Sequence, residues 1–162
     1  HDMHAEDFRH SASVSVAPLT DTSLCVGERI YQAVAATRVA VGCNTNVGII
    51  LLAAPLIAAF FQQKKGQTLR ECLIETLNGL DDHDAEWLFQ AIAHAKPGGL
   101  GDAPEADVNQ APKVSILEAM TLAAERDFIA RQYTRSFEDI FQTSVPLYDS
   151  RLSIGEIGRA NV

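Results

Sequence analysis

Cysteine, aromatic residues and basic charge are all in short supply in this 162-residue chain. The three cysteines, Cys25, Cys43 and Cys72, include no Cys-x-x-Cys pair and no clustered histidine partner. That argues against a disulfide framework and against a zinc site, and for a reducing cytoplasm in which each thiol is a small core group. Lys and Arg total 13 against 21 Asp and Glu, a formal net charge of −8, and the longest basic run is the pair Lys64-Lys65. No positive field is available for a nucleic-acid backbone or an anionic bilayer, so neither is an expected partner. Long apolar runs are missing too. The longest, Val47 to Phe61, has 15 residues and contains Pro55, short of the roughly 20 that cross a bilayer. No charged segment followed by an apolar one marks a secretory signal, and no internal repeat or low-complexity tract is present.

What remains is a chain that is 47% apolar, enough for one globular domain over residues 1–162. Helical spacing dominates: Ala5 to Val16, Leu24 to Val41, Leu69 to Leu77, Ala85 to Ala95, and Ile116 to about Phe141. Thr68-x-x-Glu71 and Ser115-x-x-Glu118 read as capping boxes at two of the starts. Strand-like alternation is confined to Ser13–Val16 and Val39–Val41. The expected architecture is all-α, about six helices around a buried apolar helix, Val47 to Phe61, bent near Pro55. Lys96 to Pro112, with three Pro and three Gly, is a long loop of the kind that is often functional.

Four places could carry chemistry. Gly42-Cys43-Asn44-Thr45-Asn46-Val47-Gly48 stands directly ahead of the apolar helix, where free N–H groups and the helix dipole favour an anion; Asn44, Thr45, Asn46 and Gly48 are phosphate or ribose candidates, against a plain cap. Asp81-Asp82-His83-Asp84 crowds hard oxygen ligands suited to Mg²⁺ at a helix start, where a charged first turn is also an ordinary cap. The long loop holds Pro97-Gly98-Gly99-Leu100-Gly101, then Asp102, Glu105 and Asp107; Gly98 and Gly99 could present N–H groups to phosphate, although no Walker-type Gly-Lys-Ser/Thr follows. On the last helix, Ile116, Ala123, Ala124, Asp127, Arg131 and Thr134 share a face with Met120 at 100° per residue, which puts an acid and a base one turn apart on a packing stripe.

With these segments in order, the chain resembles the triphosphoribosyl-dephospho-CoA synthase family. The resemblance rests on Gly42 to Gly48 with its apolar helix, the Asp81-Asp82 turn, the PGGLG loop with Asp107-Val108, and Leu117 to Tyr133, and it is closest to an archaeal and one-carbon-pathway branch. It implies an all-helical transferase that moves the 5-triphosphoribosyl group of ATP to the 2′-hydroxyl of 3′-dephospho-CoA and releases adenine. Asn44, Thr45 and Gly48 fall on the family's Asn-Thr-His-x-Gly motif, with Asn46 in place of its His and Val47 at a position often basic. The family's N-terminal Pro-Gly motif is absent, while His1-Asp2-Met3-His4, Phe8 and Ser11-Ala12 match the segment after it; the chain is expected to lack its first motif.

Breaking the bond to adenine develops positive charge on the ribose, which a carboxylate can stabilise, and the incoming hydroxyl needs a base. The expected assignment is Asp81, Asp82 and Asp107 on Mg²⁺ and the triphosphate, with Asp82 also counted among the catalytic carboxylates. Asn44 and Asn46 go on phosphate or ribose, Arg131 on phosphate, and Asp127 or Glu118 near the sugar. Glu118 is equally the second half of its capping box. Two other readings are a phosphoribosyl-handling step in making a pterin-type one-carbon cofactor and a helical module that holds a nucleotide without turnover. Helices that are apolar on two sides leave a homo-oligomer open.

Overall fold

The computed structural model describes residues 4–95 and 114–151. Every regular element among them is helical: α1 (Ala5–Thr20), α2 (Val26–Val41), α3 (Val47–Gln62), α4 (Leu69–Asn78), α5 (Asp82–Ala95), α6 (Ile116–Ala123), α7 (Phe128–Thr134) and a π-helical turn, Ile140–Ser144. The all-α expectation holds, with eight helical segments among the described residues where about six were expected. Ser13–Val16 and Val39–Val41 lie inside α1 and α2, and α1 runs on through Pro18.

The centre of the bundle is α2, which packs against α1, α5 and α3. Ile30 and Ala33 are fully buried, and Val34 nearly so. The apolar α3 contributes Ile50, Leu51, Ala54, Pro55, Ala58 and Ala59 to the core, yet Ile49 is 65% exposed and Phe60 62%. It is buried on one side and open on the other, instead of enclosed all round.

Both expected capping boxes form. The Thr68 and Ser115 hydroxyls accept the Glu71 and Glu118 N–H groups, and each carboxylate accepts the backbone N–H of the capping residue at 2.8 Å. Cys25 and Glu28 make a third such box at the start of α2. At its other end, Gly42 adopts φ 74° and donates its N–H to the Arg38 carbonyl. That left-handed conformation suits a residue without Cβ and turns the chain sharply into the Asn44 segment.

The single helix expected from Ile116 to about Phe141 is in fact two helices. Arg126 and Asp127 both donate to the Ala123 carbonyl, and Asp127 is extended (φ −124°, ψ 121°) and caps α7. A second break follows, where Ser136 and Phe137 take φ 49° and 57°. Phe137 accepts that conformation, which costs of the order of 1–2 kcal/mol, while its ring is fully buried against Tyr133.

Helices α2 and α5 lie side by side with the same direction, because they are fastened at both ends. At the start, the buried Asp84 carboxylate closes a reciprocal cap with Asp81, whose Oδ1 accepts the Asp84 N–H. Its Oδ1 accepts the Gly27 N–H, an otherwise unpaired donor in the first turn of α2, at 2.8 Å. At the far end, Arg38 donates to the His94 carbonyl at 3.1 Å. Between them, Tyr31 packs against Trp87 with the rings tilted by 50° and centroids 5.0 Å apart. The crossing requires glycine, since a Cβ on Gly27 would stand 2.3 Å from the Asp84 carbonyl oxygen. Gly27→Ala is therefore expected to lower stability by about 1–3 kcal/mol in urea unfolding, since backbone cannot rotate away. Gly48→Ala, whose Cβ would meet Ile129 at an ordinary 3.6 Å, is expected to lose nothing.

Candidate active site

The segment Asn44 to Gly48 is fixed to α1 and α2 by a ladder of hydroxyls. Ser11 and Ser15, both buried on one face of α1, donate to the carbonyls of Asp7 and Ser11, each at 2.6 Å. With those protons spent, both oxygens act as acceptors. Ser11 Oγ receives the Thr45 hydroxyl at 2.5 Å. Ser15 Oγ receives the Asn46 amide at 3.0 Å and the Thr37 hydroxyl at 3.2 Å. Asn46 is thus a buried anchor pointing into the fold. The family motif's His position is occupied here by a residue that ties the turn to α1.

Asn44 is only partly buried. Its Oδ1 accepts the Val47 N–H at 3.1 Å, and its amide NH₂ has no partner among the described residues. Asn46 caps α3 without a side-chain bond, and the first intrahelical bond runs from Ile50 N–H to the Asn46 carbonyl. Among the described residues, the N–H groups of Gly48 and Ile49 have no partner. They stand at the positive end of a 16-residue helix. A small cleft beside this turn is lined by Val34, Thr37, Arg38, Cys43, Asn44, Asn46 and Ala95. Arg38 brings a cation to the same corner. Sequence reasoning passed it over, although its position one turn before the Gly42 cap was a usable signal.

The start of α7 adjoins this corner, because Ile129 packs on Gly48 and the Tyr133 hydroxyl donates to the Leu51 carbonyl at 2.7 Å. Burial pushes the Tyr133 phenol upward from its usual range, so it stays a neutral donor. Asp127 is exposed and uses Oδ1 to cap α7 through the Ala130 N–H at 2.8 Å. Arg131 lies over the Phe128 ring at 4.9 Å, and its Nε is buried without a hydrogen-bond partner. Asp127 and Arg131 make no ion pair. The helix break between Ala123 and Phe128 removes the shared stripe with Met120 that a continuous 100° rotation implied.

The remaining candidates lie elsewhere. Glu118 is exposed and held by Ser115 through backbone and side-chain hydrogen bonds that draw its carboxyl below the usual value. Asp81 spends Oδ1 on its cap, and the exposed Asp82 carboxylate makes no hydrogen bond among the described residues. Both keep hard oxygens of the kind Mg²⁺ takes. They stand, however, at the opposite end of α5 from Ala95, about 20 Å from it at 1.5 Å per residue, whereas Ala95 lines the Asn44 cleft. The structure therefore does not bring Asp81 and Asp82 together with Asn44. Gly98, Gly99, Asp102, Glu105 and Asp107 lie outside the described residues, as do His1, Asp2 and Met3.

Removing the Ser15 hydroxyl would strand the Asn46 amide and the Thr37 hydroxyl in the interior. Ser15→Ala is expected to cost about 1–3 kcal/mol in thermal or urea unfolding. An unchanged midpoint would mean the ladder does not hold the turn.

No helix among the described residues is long and apolar enough to cross a membrane. A sequence model for the family of ATP:dephospho-CoA triphosphoribosyl transferase (CitG) matches residues 1–162, the whole chain. No curated protein and no solved structure matches it.

Proposed function

Because the chain belongs to the ATP:dephospho-CoA triphosphoribosyl transferase family, we propose that the Asn44 corner is where its triphosphoribosyl donor is held. The family's reaction moves the 5-triphosphoribosyl group of ATP to the 2′-hydroxyl of 3′-dephospho-CoA and releases adenine. The observation that carries the assignment is the set of uncommitted donors on a turn held rigid from behind. These are the Asn44 amide and the Gly48 and Ile49 N–H groups, with Arg38 lining the same cleft as Asn44. Such a turn suits phosphate or ribose hydroxyls. On the adjoining α7, an incoming anion would satisfy the orphaned Arg131 Nε.

In the transfer, the glycosidic bond from C1′ to adenine breaks and the acceptor's 2′-oxygen bonds to C1′. The hydroxyl proton is lost and adenine leaves protonated at nitrogen, so the proton count balances. Asp127 caps α7 two residues before Ile129, the side chain that packs on Gly48. Its free oxygen is suited to stabilise the positive charge that grows on the sugar or to accept the hydroxyl proton. Mg²⁺ would enter with ATP and supply neutralisation of the triphosphate charge. Asp81 and Asp82 have suitable oxygens for it, but α5 separates them from Asn44 by more than one triphosphate can span. Residues 98, 99 and 107 join the proposal through the family resemblance alone. A cytoplasmic setting fits an ATP-consuming step and three free thiols.

The test is incubation of the chain with ATP, Mg²⁺ and 3′-dephospho-CoA, with adenine followed by chromatography. Arg38→Ala and Arg131→Ala are each expected to raise the KM for ATP about 10- to 100-fold, the worth of a charge-assisted hydrogen bond. Asp82→Asn is expected to leave it unchanged; the reverse pattern would move the triphosphate to the start of α5. Asp127→Ser keeps a good helix cap but removes the carboxylate. It is expected to fold normally and lose about 100-fold in kcat, whereas full activity would confine Asp127 to capping.

A further inference from the structure

At the other end of α2 and α5, away from the Asn44 corner, three side chains of different chemistry converge. Cys25 Sγ, a Glu28 oxygen and a His83 ring nitrogen all lie within 4.8 Å of one another, with His83 Nε2 3.9 Å from Glu28 Oε1. In a tetrahedral zinc site, bond lengths of about 2.0–2.3 Å put the ligand atoms roughly 3.3–3.7 Å apart. Closure thus asks for a shift of about 1 Å, available to His83, whose side chain is 57% exposed. The other two ligands are already oriented. The Glu28 N–H donates to Cys25 Sγ at 3.4 Å, and Glu28 Oε2 accepts the Cys25 N–H at 3.0 Å, which leaves Oε1 facing His83.

We propose that Cys25, Glu28 and His83 form a Zn²⁺ site that clamps the start of α2 to the start of α5, with water in the fourth position. Sulfur, imidazole nitrogen and carboxylate oxygen together suit Zn²⁺ and exclude the hard cations Mg²⁺ and Ca²⁺. Binding is an exchange without redox change. The Cys25 S–H bond breaks, its proton goes to solvent, and the sulfur pair forms the bond to the metal. Thiolate and carboxylate then balance the two positive charges. His83 Nε2 now accepts the Trp87 Nε1–H at 3.3 Å and gives up that bond to the metal. Sequence spacing had pointed away from zinc; only the parallel packing of α2 and α5 brings His83 to Cys25.

Trp87 is the chain's one tryptophan, so its fluorescence reports the exchange directly. The full chain is titrated with zinc sulfate and, separately, with cobalt chloride. The expected results are a saturable change in Trp87 emission at one Zn²⁺ per chain, a thiolate-to-cobalt charge-transfer band, and a Tm raised by zinc. Cys25→Ser and His83→Gln are each expected to weaken Zn²⁺ at least about tenfold. Both should keep the parent's circular dichroism, since Ser is a favoured cap and His83 is exposed. No saturable binding by the folded parent would overturn the proposal. So would equal zinc affinity in the parent and both variants, which would put the metal on other histidines.

Discussion

One carboxylate organises this bundle. Asp84 sits buried where α2 and α5 begin, accepts the Gly27 N–H with one oxygen and the Asp81 N–H with the other, and so caps two helices at once. A charge in that position is tolerable because both oxygens are met by donors at the positive ends of helices. Gly27 is the other half of the constraint, since its missing Cβ lets the two backbones touch. With the starts pinned, the parallel run of α2 and α5 sets what meets at both ends. Arg38 reaches the His94 carbonyl and the Asn44 turn at one end, and His83 reaches Glu28 and Cys25 at the other.

The two ends then differ in chemistry. At the far end, the Gly42 reversal feeds a polar turn backed by Ser11, Ser15 and Thr37, and Arg38 lines the same cleft as Asn44. This is the corner proposed above to hold the donor's phosphates in a chain of the triphosphoribosyl transferase family. At the near end, burial pushes the Cys25 thiol up to about 12, with the nearby Asp84 and Glu28 carboxylates adding to the rise.

Much of the fold was legible because its helix starts are written in short-range chemistry. Thr68 with Glu71, and Ser115 with Glu118, announce α4 and α6 without any tertiary knowledge. The α6–α7 break escaped because Ala123-Ala124-Glu125-Arg126 favours helix, and the apolar positions continue on both sides. The one local signal was Asp127 immediately before Phe128, a residue type favoured at an N-cap. The Asn44 turn was legible as a candidate because its character is local, a polar run at a helix start. The inward commitment of Asn46 was not, because its partner Ser15 lies on another helix. Likewise, Asp81 and Asp82 looked like neighbours of Asn44 until the length of α5 came between them.

The dependence of the whole arrangement on Asp84 is tested most directly by native-state hydrogen exchange at the Gly27 amide. A first-turn amide of a helix ordinarily exchanges through local fraying. If the Asp84 bond fixes the α2–α5 register, the Gly27 amide is expected to exchange only through global unfolding, with the same free energy as the core amides of Ile30 and Ala33. Exchange as fast as that of the exposed first-turn amides of α4 would contradict it.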